Sequence, residues 1–151
     1  MKTLLAAVAL IALFATKQSR AAEVEIKELN KGTQGGIMVF EPAFVRISPG
    51  DTVHFIPTDK GHDAASIPNM LPDGATPFQG KMSQDVVVTF DKPGVYGVRC
   101  VPHYGLGMIA LIVVGNPINE DAAKAIPQPG KAKQIFATLF QQLDTQKPAS
   151  N

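Results

Sequence analysis

From Val24 to Val114 the chain is written in short runs that alternate apolar and polar side chains, each stopped by glycine- or proline-containing segments. Successive side chains of a strand point to opposite faces, so a period of two marks strands with one buried face. Val24-Glu25-Ile26-Lys27-Glu28-Leu29 is the first run, broken by Asn30-Lys31-Gly32 and Gly35-Gly36. Met38-Val39-Phe40 and Phe44-Val45-Arg46-Ile47 follow, the second ended by the turn signal Ser48-Pro49-Gly50-Asp51, and Thr52-Val53-His54-Phe55-Ile56 comes next. After a Pro- and Gly-punctuated stretch from Pro57 to Gly80, runs resume from Asp85 to Phe90, turn at Asp91-Lys92-Pro93-Gly94, continue from Val95 to Cys100 and close from Met108 to Val114. This spacing predicts a mainly β fold, a two-sheet antiparallel sandwich. Past Pro117 the pattern turns helical over Glu120–Ile126 and Lys131–Leu143, where Ile135, Leu139 and Leu143 recur at intervals of four and predict one apolar face packed on the sandwich.

The first residues read differently. Met1-Lys2-Thr3 is a short positive start, Leu4 to Ala15 is unbroken apolar sequence, and Ser19-Arg20-Ala21 supplies small residues for a signal peptidase. The run is too short to span a bilayer. Residues 1–21 are therefore expected to be a signal peptide, cleaved after Ala21 or Ala22, which sends a single domain (22–151) to an oxidising compartment, the bacterial periplasm. No membrane span is expected in the mature protein. Cleavage removes Lys2, Lys17 and Arg20, leaving 11 basic residues against 13 acidic ones and a formal charge of −2. A nucleic-acid binder is excluded on that balance.

Cys100 is the only cysteine. An unpaired thiol in an oxidising compartment is open to intermolecular disulfide formation and over-oxidation unless something protects it. It stands in Cys100-Val101-Pro102-His103-Tyr104-Gly105-Leu106-Gly107-Met108, with His62 well upstream. One thiolate, two imidazoles and one thioether are the donors of a blue-copper electron-transfer site. A structural zinc site would draw four ligands from Cys and His, and that pattern is absent. Pro102 stiffens the turn between Cys100 and His103, while Gly105 and Gly107 free the backbone to bring Met108 round. Two other readings stay open: a buried free cysteine acting as a small hydrophobe, and a thiol nucleophile activated by His103.

The chain resembles the cupredoxins, type 1 blue copper proteins, and within them the pseudoazurin family. The resemblance rests on Leu29-Asn30-Lys31-Gly32, Met38 to Phe44, Pro49-Gly50-Asp51, Pro57 to His62, Tyr96 to Cys100 and Pro102 to Met108, and covers essentially the whole mature chain. It implies an antiparallel Greek-key β-sandwich with two C-terminal α-helices, residues 117–151 forming the helical extension. It implies that His62, Cys100, His103 and Met108 hold one copper ion cycling between Cu(I) and Cu(II). It also implies a monomeric periplasmic carrier of single electrons, not an enzyme, acting in denitrification as donor to copper-containing nitrite reductase and exchanging electrons with c-type cytochromes in transient complexes.

A copper storage or delivery protein is the alternative; it would favour Met-rich repeats, and none is present. Lys31, Lys60, Lys81 and Arg99 are candidates for a basic ring facing acidic partners. Asp63 stands where the resemblance implies Asn, and Val101 where it implies Thr; the backbone N–H of residue 63 is still expected to donate to the Cys100 sulfur, and an ionised carboxylate there would favour the oxidised metal. His54 is expected to be a strand residue without a ligand role, Met70 and Met82 to pack or anchor loops, Met38 to pack or to lie near the exposed copper histidine, and Tyr96 and Tyr104 to be structural or to lie on an electron path.

Overall fold

The computed structural model describes residues 20–146, so the expected signal peptide falls almost wholly outside the described residues. Eight strands appear in chain order: β1 (Glu23–Lys31), β2 (Ile37–Glu41), β3 (Phe44–Ile47), β4 (Asp51–Ile56), β5 (Ala65–Ser66), β6 (Val86–Phe90), β7 (Gly94–Arg99) and β8 (Ile109–Val114). They form two four-stranded sheets, ordered β2-β1-β4-β6 and β3-β8-β7-β5. Seven of these strands fall on the runs marked in the sequence, although β8 is apolar throughout. β5 does not: two residues carry no period, and it forms because Ala65 and Ser66 pair with Arg99 and Val98 of β7.

Pairing is less uniformly antiparallel than the strand spacing suggests. β1 runs parallel to β4, Ile26 opposite Phe55, and β3 runs parallel to β8, Val45 opposite Ile112. Alternation fixes which face a residue takes but not the direction of its neighbour, so parallel partners leave no mark in the runs.

The space between the sheets is filled by Ile26, Phe40, Val53, Phe55, Phe90, Val98, Ala110, Ile112 and Val114 among others, with Cys100 and Met108 at one end. Phe90 meets Tyr96 edge-on at 4.9 Å, and the Tyr96 hydroxyl donates to the Lys92 carbonyl at 2.8 Å, which gives Tyr96 the structural role expected of it. β8 is buried on both faces: Ala110, Ile112 and Val114 enter the inter-sheet core, while Ile109, Leu111 and Val113 face a second core. Its unbroken apolar sequence is what a strand covered on both sides requires.

That second core is closed by α1 (Glu120–Lys124) and α2 (Ala132–Thr145). The α2 stripe is wider than the four-residue spacing alone marks, because Ala132, Phe136 and Phe140 are buried with Leu139 and Leu143, and Ile135 lies at its edge. Each fully buried side chain of that size contributes roughly 1.5–3 kcal/mol. Among the described residues no helix is long and apolar enough to cross a membrane.

Candidate metal centre

β7 and β8 form a hairpin whose last pair is Arg99 opposite Ile109, so Cys100 and Met108 are the two ends of its loop. The Cys100 N–H donates to the Met108 carbonyl at 3.0 Å, the Met108 N–H to the His103 carbonyl at 3.2 Å and the His103 N–H to the Cys100 carbonyl at 3.2 Å. Tyr104–Leu106 makes one turn of 3₁₀ helix, ended by Gly107 at φ +94°, a conformation that L side chains resist. The loop is thus a closed main-chain frame that needs glycine at 107 but not at 105, where the φ is ordinary and a Cβ would meet open space.

His62 arrives from the segment between β4 and β5. Its Nδ1 lies 3.1 Å from His103 Nδ1 and 3.8 Å from Cys100 Sγ, and His103 Nδ1 lies 3.4 Å from the same sulfur. The centre of a triangle with those sides is about 2 Å from every corner, the scale of metal–imidazole bonds. His62 Nε2 is 3.0 Å from Asn30 Oδ1. An imidazole that donates Nε2–H to a carbonyl oxygen carries its lone pair on Nδ1, turned toward the other two donors. Donor chemistry and tautomer both suit a metal ion at the centre. Among the described residues these three form the one His, Cys and carboxylate grouping compact enough to hold an ion.

Burial sets the proton affinities of these side chains. His62 and Cys100 are fully buried, while His103 is half-buried and reaches the surface. Burial, followed by the neighbouring His103, lowers the His62 pKa against the opposing pull of Asp59 and Asp63. Burial pushes the Cys100 thiol up to about 11, even though backbone N–H groups of Asp63 and His103 favour its thiolate. The residue-63 main chain thus acts on the sulfur in the direction expected from the sequence. The Asp63 carboxylate is buried and accepts the Val101 N–H on Oδ1 at 2.7 Å, a bond an amide oxygen would also make.

Met108 is fully buried at the loop's end, with its main chain tied to Cys100 and His103. His54 lies apart on β4, half-buried, with Nε2 3.0 Å from Asp85. Met70 packs in the second core, Met38 lines the first, and Met82 is 50% exposed. Asn30 has a role that no local pattern announced: its partner is 32 residues away. Gln128 is the other such residue; it accepts the Tyr104 hydroxyl and ties the ligand loop to the segment between the helices.

Residues 26–115 match the family model described as copper binding proteins, plastocyanin/azurin family. The chain belongs to that family. It is 46% identical over 144 residues to a pseudoazurin of Methylorubrum extorquens, covering 94% of this chain and 97% of the relative. It is 48% identical over 130 residues to a pseudoazurin of Paracoccus pantotrophus, covering 85% and 88%. A solved pseudoazurin from Sinorhizobium meliloti superposes with a TM-score of 0.81 at 44% identity, covering 83% of this chain and 99% of that one. This cupredoxin is accordingly a copper-binding electron carrier rather than an enzyme, so neither the inert-thiol nor the thiol-nucleophile reading of Cys100 applies.

Proposed function

We propose that His62 Nδ1, Cys100 Sγ and His103 Nδ1, together with the thioether of Met108, would hold one copper ion, and that the mature protein carries single electrons through the periplasm to copper-containing nitrite reductase, exchanging with c-type cytochromes. The observation that carries the ligand assignment is the triangle of donor atoms, with His62 and Cys100 fully buried and His103 half-buried. Bound copper supplies a one-electron couple whose two states favour imidazole or soft sulfur. The chain supplies the rest: a main-chain frame that holds the donors still, Asn30 that fixes the His62 tautomer, and His103 as the edge nearest solvent. A donor set that does not rearrange suits both oxidation states and favours rapid transfer.

Around His103 the surface is apolar. Val101 is 43% and Leu106 47% exposed, with Pro102 and Gly105 beside them. Exposed Lys31, Lys60 and Lys81 are available to steer an acidic partner, whereas Arg99 is half-buried with its guanidinium 5.2 Å from the centroid of the Tyr104 ring. Identity with pseudoazurins supports the periplasmic carrier reading over storage or delivery.

Copper-loaded, oxidised protein is expected to contain one ion per chain and to be intensely blue; Cys100→Ser should abolish the colour, since the thiolate makes the coloured bond. A colourless loaded protein, or a blue Cys100→Ser variant, would overturn the ligand assignment. Stopped-flow rates with nitrite reductase and with a c-type cytochrome separate the partners. They should fall as salt rises, and Leu106→Glu should slow them while leaving the spectrum intact.

A further inference from the structure

Glu28 is the anomaly of the inner core. It is fully buried on β1, and neither carboxyl oxygen has a hydrogen-bond partner. Buried polar groups are nearly always paired, because an orphaned one forfeits its hydration with nothing in return. The charged groups acting on it are Asp63, in the segment ahead of β5, and Asp85, ahead of β6; both are acidic, so no cation offsets its charge. Opposite it on β2 is Phe40, which offers no polar atom.

Its place in the fold relates it to the metal centre. Residues two apart share a face of a strand, so Ile26, Glu28 and Asn30 form one row on β1, with Cα spacing of about 7 Å between neighbours in the row. Asn30 ends that row against His62 Nε2. The Glu28 main chain is tied to the same corner: its carbonyl accepts the Asp59 N–H at 3.0 Å, and the Asp59 carboxylate accepts the Asn30 N–H at 2.7 Å. The carboxyl thus stands one place behind the residue that orients a metal ligand, in a medium that screens charge poorly.

We propose that Glu28 is the proton partner of this metal centre, holding a proton when the centre is reduced and releasing it when the centre is oxidised. The inference rests on the copper reading above. With a deprotonated thiolate and Cu(I) the centre is neutral, and with Cu(II) it carries one positive charge. An ionised Glu28 favours the positive state and a neutral Glu28 the uncharged one. The balance is simple: Glu28 gains one proton from water as the centre gains one electron from a redox partner, and loses it when that electron leaves. By reciprocity, a proton on Glu28 raises the potential. Burial first, then Asp63 and Asp85, lifts its pKa from 4.5 to about 7, which places the exchange near neutral pH.

Voltammetry of wild type and Glu28→Gln across a pH series tests this. Both should be blue, and the difference between their potentials should change through pH 7, wild type falling relative to the variant as pH rises. A tenfold difference in proton affinity between redox states corresponds to about 59 mV for a one-electron couple. If Glu28→Gln does not fold, ¹³C titration of the wild-type carboxyl decides. Its pKa should lie near 7 in the Cu(I) protein and about tenfold lower in proton affinity with Zn(II), a diamagnetic ion that gives the centre the charge of the oxidised state. Parallel pH profiles in two blue proteins, or a Glu28 pKa identical in the Cu(I) and Zn(II) forms, would overturn the role of Glu28 and leave the copper reading standing. A colourless protein would remove both.

Discussion

The two sides of the β3-β8-β7-β5 sheet bury carboxylates under opposite terms. On the helix side, buried Glu120 meets Lys124 at 2.6 Å, and the same ammonium reaches Asp144 at 3.0 Å. On the metal side, buried Glu28 has no partner for either oxygen. The helix-side core holds aromatic and aliphatic residues beside a paired acid; the inter-sheet core holds the thiol, the imidazole of His62 and an unpaired acid. Both faces bury large apolar side chains, but the metal chemistry lies on one. The faces meet where α2 leans on the outside of the ligand loop, with the Lys131 N–H donating to the Gly105 carbonyl at 3.0 Å.

The largest effect expected from this division is Phe136→Ala. Phe136 is 2% exposed in the helix-side core, and removing such a ring costs about 3–5 kcal/mol. Urea unfolding should show the loss, while the folded fraction keeps an unshifted blue band. A shifted band would mean that the two cores are not separable.

Glu28→Gln should act in the other direction and depend on pH. The folded-state pKa of Glu28, about 7, lies above the unfolded 4.5, so native protein holds a proton that the unfolded chain has lost between those values. Its contribution is fully present below pH 4.5, declines as pH rises through 7 and is flat above. A difference of that size is worth about 3 kcal/mol. Thermal melts of the metal-free proteins should find the variant gaining on wild type from pH 4.5 to 7, with no further gain beyond. A pH-independent difference would place Glu28 among paired carboxylates like Glu120.

Much of this division was legible in the sequence. Alternation placed Val53 and Phe55 in the interior, and the Cys-x2-His-x4-Met spacing put three candidate donors on one hairpin loop. Glu28 passed unmarked inside the run Val24 to Leu29, although in the row Val24, Ile26, Glu28 it takes a position where the period calls for an apolar side chain. What could not be read depends on distant partners. β5 exists through β7, the parallel neighbours of β1 and β3 are set by chain crossovers, and Asn30 finds His62 only in three dimensions.

Gly130→Ala probes the junction of the two faces. Gly130 has φ +49°, and a Cβ there would sit 2.3 Å from the Gly105 carbonyl oxygen. The left-handed conformation alone costs an L-alanine about 1–2 kcal/mol, and a backbone oxygen cannot swing away as a side chain would. The start of α2 and the ligand loop must separate, which strains or breaks the Lys131–Gly105 bond. The total should be about 2 kcal/mol, with a measurable shift of the blue band or the potential. An unshifted centre would show that the loop holds its geometry without α2.

Tyr104→Phe is the mildest cut across the same junction. The Tyr104 hydroxyl donates to Gln128 Oε1, while Gln128 Nε2 donates to the Ile126 carbonyl at 3.1 Å and sits 3.0 Å from Met70 Sδ. Losing one hydrogen bond between half-buried groups costs about 1 kcal/mol, since water can reach the vacated acceptor. The ring stays, and with it the stacking of Arg99 at 5.2 Å. Loop position is fixed by main-chain bonds among Cys100, His103 and Met108, none of which uses this hydroxyl. Tyr104→Phe should therefore lower stability slightly and leave potential and colour unchanged, in contrast to Gly130→Ala. If voltammetry shows the potential moving as far as it does in the Gly130 variant, the side-chain tie through Gln128, rather than the main-chain frame, positions the ligand loop.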